Sequence, residues 1–367
     1  MIKQNKGYKV ALIGDSFANG GAEKVHALLS VYFQESGFEV HNCIFADMVV
    51  YDYSGTLVNL GTIHPNSNAI TRKVNRFFAL KKFIKEGRFD AVIDFRMRTG
   101  FALELLLSKG IYPQNTFYTV HSGILDFYFP KSTFLARLIY KKSKIVAVSK
   151  AIQQAILDKN LAQKVNQIYN PVDLKTIDRL KNEYESEEDQ FILAIGRMND
   201  EVKQFDKLIV AYSQSVLPDK NIKLIMLGEG KNQAQYKALS QQLGLEDKVV
   251  FKGFVANPFT YYQKALFTVL SSKNEGFPNV IIESLAVGTP VLSFDCFSGP
   301  NEIIVDKQNG LLIENQNFDK LSEAMNLIVE DENLYQYCKQ NAKASVAQFD
   351  IEIIGKQWTE LLKNTVS

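Results

Sequence analysis

Cysteine, tryptophan and long apolar runs are scarce in this chain of 367 residues. Its three cysteines, Cys43, Cys296 and Cys338, stand far apart and show no paired spacing of metal ligands. Such a sparse, odd set is typical of buried free thiols in a reducing cytoplasm. No stretch reaches the roughly 18 apolar residues of a membrane span, and Asp15 makes the first apolar run too short for a signal peptide. We therefore expect a cytoplasmic protein that is soluble, or peripheral at the inner face of the cytoplasmic membrane.

Several motifs of catalysis and ligand binding are also missing. The glycine-bearing loop Gly14–Glu23 does not match the Gly-x-Gly-x-x-Gly fingerprint of dinucleotide binding, which argues against nicotinamide chemistry. Its Gly-Asp-Ser start is similar to that of Gly-Asp-Ser hydrolases, but no histidine has an aspartate three residues before it, which excludes that class. There is no Asp-x-Asp motif on an apolar strand, and no nucleic-acid recognition motif. The sequence predicts neither a metal nor a cofactor, and no nucleic-acid partner.

Strand-like and helix-like segments alternate along both halves of the chain, which predicts an α/β fold with parallel sheets. The length exceeds the usual limit of one domain, so we expect two Rossmann-like, doubly wound domains. We place them at residues 1–172 and 190–350, with a charged linker at 173–189, and expect the last helix, about 351–367, to pack back on the first domain. Two such domains facing a cleft would bind ligands at the carboxyl ends of their strands.

The predicted elements follow continuous apolar runs and helical spacing. Strands are predicted at Tyr8–Gly14, Phe38–Phe45, Ala91–Phe95, Phe117–Val120, Lys144–Val148, Phe191–Gly196, Lys223–Gly228, Val249–Gly253, Phe267–Ser271 and Pro290–Phe294. Helices are predicted at about Gly21–Glu35, Gln204–Ser215, Asn232–Leu243, Asn279–Val287 and Ile351–Lys363.

Positive charge is concentrated in the first half. Residues 1–170 contain 22 Lys+Arg and 12 Asp+Glu, whereas the remainder contains 20 and 28. Much of the excess lies in two basic amphipathic stretches, 71–88 and 131–144. Such helices can lie on an anionic membrane surface, but crossover helices that pack their apolar faces on the sheet have the same pattern. Both interpretations stay open, and they can partly coexist.

The segment Glu275-Gly-Phe-Pro-Asn-Val-Ile-Ile-Glu283 is the most informative of the chain. It follows the strand at 267–271 and leads into a helix, so one acid ends a strand and the other falls about one turn into the helix. Helix N-termini attract phosphates. A nucleotide sugar supplies phosphates for the backbone amides and hydroxyls for the carboxylates. The segment therefore favours a sugar-transferring enzyme over a helix acid and a surface acid of no function.

Two further loops carry candidate binding groups. Arg197 and Lys203 are six residues apart after a predicted strand, so both can face the ligand as the two cations that a departing diphosphate requires. The alternative is a pair of solvated surface cations. His121 ends a strand, where it could bind a sugar hydroxyl or shuttle a proton; a structural role is equally compatible with its position. The Gly20-Gly21 pair lets backbone amides approach a phosphate or sugar, although an ordinary turn would also use it.

Together these pieces resemble the retaining glycosyltransferases of the GT-B fold, family 4. The resemblance runs over nearly the whole chain, and is most specific in its second half. Gln204 departs from the glycine that many members have after the lysine, and Asn170-Pro171 from the common Asn-Gly. Ser298–Glu302 resembles a subgroup of bacterial surface-polysaccharide enzymes. The matching segments are Gly20–Glu23, Val148-Ser149, Tyr169–Asp173, Gly196-Arg197 with Lys203, Gly228–Gly230, Gly253–Val255 and Glu275 with Glu283.

The resemblance implies a role for each matching residue. Arg197 and Lys203 would clamp the diphosphate, Glu275 and His121 would lie near the transferred sugar, and these four form the catalytic set. The donor-binding set would comprise Glu283 on the ribose hydroxyls, Val255 near the nucleobase, Gly21 on the phosphate side, and the backbone of Phe277, Pro278 and Asn279.

The resemblance further implies the reaction. We expect a retaining, metal-independent transfer of a hexose or N-acetylhexosamine from a nucleotide-diphosphate sugar, expected to be UDP-linked. The acceptor would be a glycan or a lipid-linked acceptor in cell-surface polysaccharide or lipid-linked oligosaccharide synthesis. A nucleotide-sugar epimerase of the same two-domain plan is the main alternative, and a non-catalytic nucleotide-sugar binder is a third.

Overall fold

The protein is described from a computed structural model that covers residues 7–18, 20–183, 190–199 and 201–364. The chain divides into two compact units, each built around its own parallel sheet. The first comprises residues 1–171 and 351–367, and the second comprises 172–350. Within the described residues, no helix is both long and apolar enough to cross a membrane.

The first unit contains a seven-stranded sheet with the order β3-β2-β1-β4-β5-β6-β7, in which every neighbouring pair is parallel. Its strands are β1 (Lys9–Gly14), β2 (Glu39–Ile44), β3 (Thr56–Asn59), β4 (Ala91–Asp94), β5 (Thr116–Val120), β6 (Lys144–Ala147) and β7 (Val165–Gln167). Its α-helices are Gly21–Glu35, Ala69–Gly87, Phe101–Leu106, Thr133–Tyr140, Lys150–Asp158 and Ile351–Lys363. A short π-helical turn, Leu107–Ile111, extends the third of these.

The second unit contains a six-stranded parallel sheet with the order β10-β9-β8-β11-β12-β13. Its strands are β8 (Phe191–Ile195), β9 (Lys223–Leu227), β10 (Val249–Gly253), β11 (Thr268–Leu270), β12 (Val291–Phe294) and β13 (Gly310–Ile313). Its α-helices are Leu174–Leu180, Phe205–Ser213, Gln233–Gln242, Phe259–Lys264, Asn279–Ala286, Pro300–Ile303, Phe318–Glu330 and Glu332–Ser345.

The last helix is part of the core of the first unit. Ile354, Trp358 and Leu362 follow one another at helical spacing, and all three are buried with the strands and the first helix. The Trp358 ring meets Phe117 of β5 edge to face, with centroids 6.5 Å apart. The Tyr8 hydroxyl donates to the Leu362 carbonyl over 3.2 Å.

The fold confirms the prediction of an α/β protein with two parallel, doubly wound sheets, and three details correct the sequence analysis. First, β3, β7 and β13 were not predicted; β3 and β7 are short and partly exposed, whereas β13 is four residues long and mostly buried. Second, the segment predicted as a linker begins with the helix Leu174–Leu180, which Asp173 caps; residues 184–189 lie outside the described part of the chain.

The third correction concerns the basic stretch 71–88. The apolar residues that recur here at roughly helical spacing are Val74, Phe77, Phe78 and Phe83 with Ile84. Only Ile84 of these is buried, together with Leu80, whereas Val74 and Phe78 point outward and are exposed. The same holds for 131–144, where the helix spans Thr133–Tyr140 and leaves Phe134 and Leu138 exposed.

Candidate active site

The carboxyl ends of β8, β9 and β10 meet in a compact backbone network in the second unit. The Gly196 amide donates to the Leu227 carbonyl over 3.0 Å, and the Gly228 amide donates to the Gly253 carbonyl over 2.7 Å. Gly228 has a φ of +124°, and a Cβ there would lie 2.0 Å from the Gly196 oxygen. Glycine is therefore required at this position for the loops after neighbouring strands to approach one another. These loops carry Arg197 and Val255.

Lys203 and Glu275, two residues of the predicted catalytic set, are in contact. The Lys203 Nζ lies 2.6 Å from the Glu275 Oε1, and the two side chains are 20% and 14% exposed. Their segments run side by side, because the Lys273 amide donates to the Val202 carbonyl and the Ser271 hydroxyl donates to the Lys203 carbonyl. The cation and the carboxylate are thus held together, with part of each accessible to a ligand.

Gln204 takes an unusual conformation directly after the clamp lysine. Its φ of +51° is left-handed, and it caps the helix Phe205–Ser213 without a side-chain hydrogen bond. The side chain is buried, and within the described residues neither atom of its amide has a partner. The left-handed backbone explains why family members can have glycine here.

The turn between the two glutamates is fixed from several sides. Phe277 is buried edge-on against Phe349, with ring centroids 5.2 Å apart. The Ser298 hydroxyl donates to the Gly276 carbonyl, and Pro278 precedes the first helical residue, Asn279. The turn therefore presents the start of the helix Asn279–Ala286 in a rigid form, as anion binding at a helix N-terminus requires.

Glu283 lies in that helix and contacts a tyrosine that the sequence analysis did not identify. The Tyr262 hydroxyl donates to the Glu283 Oε2 over 3.2 Å, and both side chains are buried. Burial and the neighbouring Glu283 raise the pKa of Tyr262 well above its usual range, so its proton is retained for this bond. Tyr262 orients the carboxylate that the resemblance assigns to the donor ribose.

Arg197 and Val255 complete the predicted set of the second unit. The Arg197 side chain is exposed just after β8, and Val255 is half-buried just after β10. The adjacent Phe254 amide donates to the Glu229 Oε1 over 3.2 Å, which ties this loop to the loop after β9. The predicted residues of this unit therefore lie in the loops that follow β8, β10 and β11 and in the helix Asn279–Ala286, and Lys203 contacts Glu275 directly.

Comparisons with known proteins now bear on this geometry. Two family models match successive parts of the chain: "Glycosyltransferase Family 4" over residues 19–176 and "Glycosyl transferases group 1" over residues 176–345. A Campylobacter jejuni protein is 30% identical over 354 residues, covering 93% of this chain and 96% of its own. It is named as an N-acetylgalactosamine-N,N'-diacetylbacillosaminyl-diphospho-undecaprenol 4-alpha-N-acetylgalactosaminyltransferase.

The chain belongs to glycosyltransferase family 4.

Solved structures agree on the GT-B fold of this family 4 glycosyltransferase. Sucrose-phosphate synthase from Thermosynechococcus elongatus superposes with a TM-score of 0.78 at 20% identity, covering 97% of this chain and 98% of that one. Anabaena HepE in complex with UDP and glucose superposes with a TM-score of 0.77 at 21% identity, covering 97% and 99%. The recognition of the family from sequence is confirmed.

The first unit of this glycosyltransferase holds the other two predicted residues. Gly21 is the first residue of the helix Gly21–Glu35 and is exposed. His121 directly follows β5, and its ring nitrogens are buried. Burial and the charge of Arg98 lower the pKa of His121 to about 3, against a smaller opposing effect of Asn170. His121 is therefore neutral at physiological pH, and its ring is a weaker base than an ordinary imidazole.

Buried charges at the carboxyl end of β4 were missed entirely. Arg96 pairs with Asp94 over 2.8 Å and with Glu104 over 3.2 Å, and all three side chains are buried. Arg98 is also buried, donates to the Thr119 carbonyl over 2.9 Å and lies within 6 Å of three tyrosine ring centroids. The Asp-Phe-Arg-Met-Arg segment was the available signal, since charged residues directly after a buried strand need partners. These contacts fix the loop beside Asp15 and His121.

Proposed function

We propose that this family 4 glycosyltransferase is a retaining, metal-independent enzyme. It moves a hexose or N-acetylhexosamine from a UDP-sugar to a lipid-linked glycan in cell-surface polysaccharide or lipid-linked oligosaccharide synthesis. The observation that carries the proposal is the contact of Lys203 with Glu275, next to the turn that starts the Glu283 helix. It puts a cation for the diphosphate beside an acid for the sugar. The site of action is the cytoplasm, at the inner face of the cytoplasmic membrane.

The identity of the donor is supported from two directions. Glu283, oriented by Tyr262, supplies an acceptor for ribose hydroxyls, and the HepE structure was solved with UDP and glucose. The lipid-linked acceptor is supported by the name of the Campylobacter relative, which acts on a diphospho-undecaprenol-linked saccharide. A basic first half of the chain fits an acceptor that carries a diphosphate.

The proposed chemistry uses the leaving group as the base. The bond from the anomeric carbon to the diphosphate oxygen breaks while the acceptor oxygen attacks the same face of the sugar. The acceptor hydroxyl proton passes to the departing phosphate. Lys203 and Arg197 stabilise the charge that develops on the diphosphate, which is electrostatic preorganisation in a site already assembled. Glu275 holds Lys203 before the donor binds, so no carboxylate nucleophile is assigned.

Metal independence is part of the proposal because two cationic side chains are available for the diphosphate. The cations Arg197 and Lys203 occupy the role that a divalent ion would otherwise have. Neutral His121 is proposed to bind a sugar hydroxyl rather than to transfer a proton.

The test is an incubation of the purified protein with UDP-, GDP- and ADP-sugars and EDTA, without acceptor, followed by mass spectrometry and NMR. Slow hydrolysis of one UDP-sugar in the presence of EDTA is the expected result. Interconversion of two epimeric donors would instead identify an epimerase. A strict requirement for added Mg²⁺ would overturn metal independence, and hydrolysis of only a GDP- or ADP-sugar would overturn the choice of UDP. The configuration of the transferred sugar, read by NMR, decides between retention and inversion.

A further inference from the structure

Two helices of the first unit turn apolar side chains toward solvent in regular rows. On Ala69–Gly87, Ile70, Val74 and Phe78 follow one another at spacings of four and are 77%, 45% and 58% exposed. On Thr133–Tyr140, Phe134 and Leu138 have the same spacing and are 76% and 49% exposed. Single exposed apolar residues are ordinary, but aligned rows on neighbouring helices need an explanation.

The two rows lie on the same face of the sheet. The crossover from β3 to β4 runs across the sheet in the opposite direction to that from β1 to β2. Right-handed crossovers therefore put the helix Ala69–Gly87 on the face opposite the helix Gly21–Glu35. The crossovers from β4 through β6 run in the same direction as β3 to β4, so their helices share that face.

Direct contacts join these helices. Ala69–Gly87 packs against the turn Leu107–Ile111, and Phe101–Leu106 packs against Thr133–Tyr140. The Lys109 Nζ donates to the Ile139 carbonyl over 3.2 Å. Leu103 and Leu106, which lie between the two rows in this series, are 41% and 58% exposed. The exposed residues thus belong to one continuous side of the first unit.

This side is strongly basic. Residues 71–88 contain a single acid, Glu86, and residues 131–144 contain none. Apart from Glu86, the charged residues of these two stretches are therefore all cations. The cations of the two stretches are Arg72, Lys73, Arg76, Lys81, Lys82, Lys85, Arg88, Lys131, Arg137, Lys141, Lys142 and Lys144.

We propose that this side, the outer face of helices 69–87, 101–106 and 133–140, is the surface by which the enzyme binds an anionic lipid bilayer. The aromatic and aliphatic rows enter the boundary between headgroups and acyl chains, and the flanking cations contact lipid phosphates. The inference rests on the proposed lipid-linked acceptor. It deepens that proposal by stating that apolar insertion, and not charge alone, holds the enzyme at the membrane. A soluble nucleic acid offers no apolar layer for Ile70 or Phe134, so a bilayer is the better match.

The first test is flotation of the full-length protein with vesicles of phosphatidylcholine alone or mixed with phosphatidylglycerol. We expect at least about tenfold tighter binding to the anionic vesicles, since each cation near the surface adds to the attraction. The double variant Phe78→Ser with Phe134→Ser is expected to weaken that binding by about tenfold or more, since two large side chains leave the bilayer. Equal binding by the double variant overturns the proposal, as does binding to random-sequence DNA without binding to vesicles.

Matched controls are available on other surfaces. Ile353, on the last helix of the first unit, is 46% exposed, and Tyr337, in the second unit, is 53% exposed. The double variant Ile353→Ser with Tyr337→Ser also removes two exposed large side chains and is expected to bind vesicles as the wild type does. A loss equal to that of the Phe78 and Phe134 variant would show a general effect of surface polarity and overturn the proposal.

The second test measures insertion directly. The chain has a single tryptophan, Trp358, which is 3% exposed and gives a constant background. A Phe134→Trp variant is expected to show a blue-shifted emission on anionic vesicles and quenching by brominated lipids, whereas an Ile353→Trp variant is not. Binding of Phe134→Trp without quenching means that the contact is purely electrostatic, which overturns apolar insertion.

Failure of this inference can be told apart from failure of the proposed function. Phe78 and Phe134 belong to neither the predicted catalytic set nor the predicted donor-binding set, so hydrolysis of the UDP-sugar by the double variant in detergent-free solution should equal that of the wild type. Normal hydrolysis with unchanged vesicle binding refutes only the membrane surface. Vesicle binding and quenching without hydrolysis of any donor refute only the proposed reaction.

Discussion

Lys203 contacts Glu275 in the structure through its Nζ, whereas the proposed mechanism uses its charge to stabilise the donor diphosphate. A charge that is already fixed at the site needs little reorganisation during the reaction, which is where electrostatic catalysis gains most. The residue-scale question is therefore how much turnover depends on this single cation.

Replacing Lys203 by alanine is expected to lower turnover by roughly 10²–10³, the scale for the loss of one preorganised electrostatic group. The measurement is the initial rate of donor hydrolysis or transfer at saturating donor. Lys273→Ala is the matched control, because Lys273 lies nearby, is 43% exposed and pairs with the exposed Glu201. A Lys203→Ala enzyme with near-normal turnover would remove the clamp from the mechanism.

The free energy of donor binding can be tested separately for Glu283, which is proposed to contact the ribose, and for Tyr262, which acts by holding Glu283. Glu283→Ala should weaken UDP binding by about 1.5–3 kcal/mol, the range for charged hydrogen bonds, and Tyr262→Phe by about 1 kcal/mol. Calorimetric titration with UDP measures both. Tyr212→Phe is the control, since that buried hydroxyl donates to the Ile222 carbonyl within the core of the second unit. Unchanged UDP affinity in Glu283→Ala would refute the assignment of Glu283 to the ribose. If Tyr212→Phe weakened UDP binding as much as Tyr262→Phe, the effect of Tyr262→Phe would be attributed to lower stability of the second unit and not to the contact with Glu283.

At the scale of elements, the close approach of the loops after β8 and β9 is the feature most sensitive to sequence. Gly228→Ala should destabilise the second unit by about 3 kcal/mol or more, because a glycine-only φ and a backbone clash add together. Gly244→Ala is the matched control: Gly244 also has a positive φ, +67°, but a Cβ there meets nothing within 4 Å. It should lose only about 1–2 kcal/mol of left-handed strain. Urea denaturation of both variants gives the two values, and equal losses would contradict the close-approach argument.

The elements also show what can be predicted from the chain alone. Long apolar runs such as Lys9–Gly14 predicted strands because central parallel strands are buried on both faces. β3, Thr56–Asn59, was not predicted because an edge strand that is partly exposed lacks a long apolar run. Glu275 and Lys203 were predicted because local motifs mark them. Tyr262 and the Asp94–Arg96–Glu104 cluster were not, because only tertiary packing decides which partners meet a buried polar group.

For the whole molecule, two buried histidines predict a loss of stability in mild acid. Burial lowers the pKa of both His26 and His121 from 6.5 to about 3. As the pH falls below 6.5, these two histidines become protonated in the unfolded chain, whereas in the folded protein they stay neutral until about pH 3. Stability is therefore full above pH 6.5 and decreases between pH 6.5 and 3, with a slope of up to about 1.4 kcal/mol per pH unit for each histidine.

Urea denaturation between pH 7 and 4, followed by the fluorescence of Trp358, measures this slope. His26→Gln removes one of the two linked protons, so its stability should fall less steeply with acid than that of the wild type. A His26→Gln curve parallel to that of the wild type would show that the His26 ring is protonated in the folded state as readily as in the unfolded one.

The return of the last helix to the first unit has a consequence for how the protein is made. The first core lacks Ile354, Trp358 and Leu362 until the ribosome has synthesised nearly the whole chain, whereas all of residues 172–350 precede them. The second unit can therefore complete its folding first. Until the last helix is made, the seven-stranded sheet of the first unit keeps the hydrophobic side that this helix covers exposed. During that interval we expect the nascent first unit to be the part most exposed to aggregation, because its apolar surface is uncovered. Because the only tryptophan, Trp358, lies in the last helix, its fluorescence reports when this helix packs on the first unit.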